Sequence, residues 1–272
     1  MENYEIDERN DREHLARLDL AHYQHGMMLK NALVAGKGEF KAGAVDAAWR
    51  VELYDEAKYS IGDAMGLPGR VMFVTRIVAD ADAWKKFAET GSQRRGEIIT
   101  TRISEGGNRV YRMYLTLFLY PSDIAAGQLP SGTTAFDYMR DQKYWATRLF
   151  PQYWQNNRDV IIHELTHALD QLRIRPNDID RNWKGQDADT HGERYLSDPL
   201  EFNAVFLEVA DYMTEFYRDK PLPAFKEFLD HMTNPFAPNN MHRISRMDRW
   251  KKKVMTRAYQ LWTDLRAAVA GR

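Results

Sequence analysis

The chain has 272 residues, with 38 Lys and Arg against 39 Asp and Glu, a formal net charge of -1 and no cysteine. With 44% apolar and 12% aromatic residues it can bury a sizeable core, which excludes a disordered or fibrous chain. The lack of cysteine excludes a disulfide framework, a thiolate metal site, an iron–sulfur cluster and a cysteine nucleophile, so any metal must sit on His, Asp or Glu.

The first twenty residues hold no apolar run flanked by positive charge, and no stretch reaches the roughly 18 consecutive apolar residues that span a bilayer. A cytoplasmic protein without a membrane anchor is expected. Residues 11–66 read mostly as helix, with Leu15, Leu18, Tyr23 and Met27 at helical spacing and Gly36, Gly38 and Gly43 loosening the middle. Residues 1–65 are therefore expected to form a helical N-terminal extension. After Gly66-Leu67-Pro68-Gly69 the period changes. Val71, Phe73 and Thr75 alternate with Met72, Val74 and Arg76 as in a strand. Residues 97–103 and 109–120 are β-branched or aromatic runs around Glu105-Gly106-Gly107-Asn108, a hairpin signal, and a small antiparallel sheet is expected.

From Pro151 the pattern is helical again, near 157–173, 199–218, 222–232 and 240–269. Sheet first and helices afterwards, without βαβ alternation, predicts an α+β fold. A core over 66–232 is followed by a basic amphipathic helix over 233–272. In that helix Ile244, Met247, Val254, Leu261 and Leu265 fall on one stripe and Arg243, Arg246, Arg249, Lys253 and Arg257 on another. The neutral whole-chain charge argues against nucleic acid as its target and favours this protein's own core or a protein partner. The ends are oppositely charged: seven acids against three bases over residues 1–20, and nine bases against two acids over 241–272.

The segment with explicit chemistry is Val160 to Asp170, which contains His163-Glu164-Leu165-Thr166-His167. On a helix, residues four apart share a face, so His163 and His167 can offer two imidazole nitrogens to one ion. Glu164, rotated about 100° from His163, lies beside the ion and can take a proton from a water whose pKa the ion has lowered. The helix has its own support. Ile161, Leu165, Ala168 and Leu172 form an apolar stripe, Asn157 and Asp159 suit its start, and Pro176 follows its end. Asp170 and Arg173 stand where a metzincin continuation would need Gly and His, which excludes that class.

A third ligand is expected downstream, where Asp198-Pro199 opens a second helix and Glu201 faces the same way as Ala204, Val205 and Glu208. His191, Glu193, Asp189 and Asp198 are the other candidates, and Asp170 is placed to orient an imidazole. At these residues the chain resembles the gluzincin metallopeptidases, most closely compact members with a Tyr-x-x-x-Pro-x-Glu-x-x-Ala signature after the active-site helix. The matching residues are His163, Glu164, His167, Tyr195, Pro199, Glu201 and Ala204. Residues 202–205 supply none of the Asp that follows the third ligand of thermolysin. The resemblance implies a zincin-like fold and one zinc ion on His163, His167 and Glu201. It further implies Glu164 as general base, Tyr195 as an oxyanion donor, a peptide or protein substrate, and an edge strand along which an extended peptide pairs; residues 109–120 read equally as that edge or as a strand paired on both sides. The alternative is a structural or interaction protein, such as a virion-associated or assembly component, that retains the zinc site without peptidase activity.

Overall fold

The computed structural model describes residues 11–42, 46–54, 70–90, 95–120, 142–173, 196, 198–236 and 240–270. Helix α1 (Asp11–Val34) opens the fold, followed by strands β1 (Glu39–Ala42), β2 (Asp46–Tyr54) and β3 (Arg70–Asp80). Helix α2 (Ala81–Thr90) leads to β4 (Gly96–Glu105) and β5 (Asn108–Phe118). The rest is helical. A π-helical turn (Trp145–Leu149) runs into α3 (Phe150–Asn156), then come α4 (Arg158–Arg173), α5 (Pro199–Phe216), α6 (Phe225–Met232), the short α7 (Met241–Ile244) and α8 (Asp248–Ala270).

The α+β class holds, with two corrections. Helix does not run through residues 11–66. It stops where Gly36 takes φ +72°, with the amides of Gly36 and Lys37 bonded back to Leu33 and Ala32, a glycine C-cap. The following strands belong to the sheet, and the apolar side chains of Trp49 and Val51 alternate with exposed Arg50 at the strand period. The sheet is also mixed rather than antiparallel. Its order is β1-β2-β3-β5-β4, and β3 and β5 run parallel. The chain crosses to the outer position as β4 and hairpins back inward, so β5 lands beside β3 in the same direction. That hairpin turns at Gly106 (φ +56°) and Gly107 (φ +83°), a two-residue loop that needs positive φ twice.

Among the described strands the edges are β1 and β4, and β5 takes the second of its two sequence readings, a strand paired on both sides. Strand β4 starts against the front of α4. Arg95 donates to Asp159 and to Asn157, each at 3.1 Å, and a Cβ on Gly96 would stand 2.7 Å from Val160 Cγ1 and 3.1 Å from Glu164 Cγ. One apolar core joins α1, the sheet and the C-terminal helices, with Leu18, Met113, Ile161, Phe206 and Val254 in the same cluster. Two close approaches define it. Gly26 lets α1 pass the Trp154 indole, where a Cβ would fall 2.4 Å from Nε1, and Trp250 of α8 stacks on Phe202 of α5 at 4.5 Å. Among the described residues, no helix is long and apolar enough to cross a membrane.

Candidate metal centre

Helix α4 carries Ile161, Leu165 and Ala168, each fully buried, on the face that meets the core. The neighbouring face presents His163 and His167 to α5. That helix begins as its sequence implies, with the Asp198 carboxylate accepting from Leu200 N at 2.8 Å and Pro199 in the first turn. Glu201 follows in the same turn and points at both imidazoles. The small Ala204, fully buried, permits the close pairing of α4 and α5.

His163 Nε2 and His167 Nε2 lie 3.1 Å apart. Glu201 Oε1 is 3.2 Å from His167 Nε2, and Glu201 Oε2 is 3.6 Å from His163 Nε2. Donors held about 2.0–2.2 Å from a tetrahedral ion stand roughly 3.3–3.6 Å from one another. The observed separations cluster around that edge length. Glu201 Oε2 is buried without a hydrogen-bond partner, the situation of a carboxylate oxygen that waits for a cation. His163, His167 and Glu201 can therefore hold a metal ion, and they are the one such group among the described residues.

The charges fit this arrangement. Burial would raise the Glu201 carboxyl, but His163 and His167 override it and hold the group well below the usual carboxylate range. Burial likewise pulls His163 down, and the carboxylates of Glu201 and Glu208 outweigh it, leaving the imidazole well above its ordinary value. A metal ion would replace the protons that now balance these carboxylates. Glu164 is buried next to the group, and burial raises its carboxyl above the usual range while the two imidazoles pull the other way.

Glu208 had no assigned role in the sequence reading, yet its Oε2 lies 3.0 Å from His163 Nδ1. Its place seven residues after Glu201, two turns along the same face, is the signal that could have found it. A carboxylate there holds the ring so that Nε2 faces His167 and Glu201. Asp170, for which the sequence offers either an imidazole-orienting role or an ordinary helix position, is buried and accepts from Asn203 Nδ2 at 2.7 Å. Asp198 serves as the cap of α5. Tyr195, His191, Glu193 and Asp189 lie outside the described residues. A separate cavity of about 400 Å³ over β1, β2, β3 and β5, lined by residues including Lys41, Arg50, Arg76 and Tyr114, contains none of the three ligand residues.

The expected basic stripe on the last helix changes too. Arg257 is not on an exposed face but is 1% exposed, with its guanidinium 3.9 Å above the Phe206 ring. The periodicity of the apolar residues could not separate it from the solvated arginines. No family model matches the chain, and neither a curated protein nor a solved structure matches it.

Proposed function

We propose that the protein is a zinc-dependent metallopeptidase with a zincin-like fold, acting on peptide or protein substrates. The observation that carries this reading is the convergence of His163, His167 and Glu201 from two helices with the Glu164 carboxylate buried beside them. Two imidazoles and one carboxylate suit zinc, and the three ligands found among the described residues match the pattern of catalytic zinc sites, whereas structural sites close with four.

When bound, zinc supplies Lewis acidity that lowers the pKa of a water and polarises a carbonyl. Glu164 accepts the proton from the attacking water and returns it to the leaving amine. Its raised pKa brings the carboxylate closer to the range in which such a shuttle works in both directions. His163 is kept in one ring orientation by Glu208. The substrate backbone pairs with the edge of β4 that no described strand covers, where Ile99 is 52% exposed and the strand start abuts Glu164 through Gly96. Tyr195 donates to the developing oxyanion, a role that rests on its place in the sequence signature.

The test is Glu164→Gln, with zinc content and hydrolysis of quenched fluorescent casein measured on one preparation. Retained zinc and a loss of turnover on the order of 100-fold or more are expected, because the amide keeps the shape and removes the base. Unchanged turnover would move the assignment to the alternative, a structural or interaction protein with a metal site that does no chemistry. Tyr195→Phe is expected to lower kcat on the order of 10- to 1,000-fold with KM and zinc content unchanged.

A further inference from the structure

The ligand residues are the inner part of a longer polar seam between α4 and α5. Four polar pairs cross between the two helices. Arg158 pairs with Asp211 through two bonds of 2.7 and 2.8 Å, His163 with Glu208, His167 with Glu201, and Asp170 with Asn203 at 2.7 Å. The Arg158–Asp211 and Asp170–Asn203 pairs both continue into other helices.

At one end Arg158 Nη2 also donates to Asp19 of α1 at 2.8 Å. At the other, Asn203 Oδ1 accepts from Arg257 Nη2 of α8 at 2.9 Å, and Arg257 donates through Nε and Nη2 to both oxygens of Asp11 of α1. Asp11, Asp170, Asn203, Asp211 and Arg257 are all buried. The spacing is matched: Asp11 to Asp19 on α1 and Asn203 to Asp211 on α5 are each eight residues, about 12 Å of helix. Helix α1 thus lies as a rod of fixed length beside α5, fastened at two points.

Buried charges of this kind do not outcompete well-packed apolar residues for stability, so a whole seam of them points to fixing a register. Metal affinity depends on ligands held to within a few tenths of an ångström, and partners behind the ligands set that placement. We propose that the Asp11–Arg257–Asn203–Asp170 chain and the Asp19–Arg158–Asp211 bridge are positioning residues. They hold α5 in register with α4, and so tune metal affinity from helices at opposite ends of the chain that supply no ligand. The inference rests on the reading that His163, His167 and Glu201 hold a metal.

The experiment uses the full chain, with zinc affinity read by competition against a chelating dye and the cobalt(II) form read by its visible absorption spectrum. Arg257→Met, which keeps the stem and removes the fork, is expected to weaken zinc binding about 10- to 100-fold and to alter the cobalt spectrum. Met113→Ala, a truncation deep in the sheet, serves as the control. It should lower the melting temperature while leaving affinity and spectrum unchanged. If Arg257→Met does not fold, Asp211→Asn reads the opposite end of the seam with shape conserved and is expected to weaken binding several-fold. A folded seam variant that loses stability but binds zinc as the wild type does, with the same cobalt spectrum, overturns the positioning role alone. A wild-type chain that binds neither ion overturns the metal reading and this inference with it.

Discussion

His163 meets a carboxylate on each side of its ring: Glu208 at Nδ1, 3.0 Å away, and Glu201 toward Nε2. The first contact fixes the tautomer and the second belongs to the metal group, so the two glutamates have different jobs although both lie on α5. Glu208→Ala should lower zinc affinity by about 10- to 100-fold while leaving one ion per chain at saturation. Glu201→Ala should abolish stoichiometric binding. Equilibrium dialysis of both variants against buffered zinc separates the roles, and equal losses would show that Glu208 is itself a ligand. His163, Glu164 and His167 were legible in the sequence because their spacing is a statement about one helix face. Glu208 was not, since a glutamate two turns beyond a ligand looks like any partly exposed helix position until the partner helix is in place.

At the scale of elements, the site depends on how closely β4 approaches α4. Gly96 sits where any Cβ would crowd Val160 and Glu164. Gly96→Ala should cost about 1–3 kcal/mol by overpacking, and because the crowded side chains include Glu164, the proposed general base, it should also lower turnover. Urea unfolding together with casein hydrolysis checks both effects, and a variant as stable and active as the parent would show that the strand yields without cost. The helices around the site were readable from periodicity and caps, as the Asp198-Pro199 start of α5 illustrates. The failures have a common cause. Gly36 ends a helix by its positive φ, and the alternation of β2 is short, so local pattern alone extended α1 into the sheet. Likewise, Arg257, one of the five basic residues of the expected stripe, is buried because Asp11, some 246 residues away, receives it. No local period encodes such a pairing.

At the scale of the whole molecule, α1 packs two neutral histidines into the interior beside the helix that carries the ligands. Burial lowers His22 to about 4, helped by Arg158, and lowers His25 to about 3, helped by His22. Both folded values lie below the ordinary 6.5 of the unfolded chain. At these two sites the unfolded state therefore binds more protons below that pH, and their contribution to stability is fully present above pH 6.5 and falls as pH drops toward 4. Each histidine contributes a slope of at most about 1.4 kcal/mol per pH unit in that window. His25 Nε2 meets Thr75 Oγ1 at 2.8 Å, so His25→Gln keeps a polar group there while removing one titration. Urea midpoints between pH 7 and 4 should fall less steeply for His25→Gln than for the parent, and equal slopes would contradict the account. The parallel pairing of β3 with β5 belongs to this scale as well. Both strands were visible in the sequence, but their relative direction follows from the order in which β4 and β5 add to the sheet.

X-ray absorption at the zinc edge of the zinc-loaded full chain tests directly whether two helices bring three side chains to one zinc ion. One zinc per chain is expected, with two imidazole nitrogens at about 2.0–2.1 Å and carboxylate oxygen at about 2.0–2.2 Å, and loss of this spectrum in His163→Ala. Absence of stoichiometric zinc, or a coordination shell without imidazole that survives His163→Ala, would contradict this arrangement.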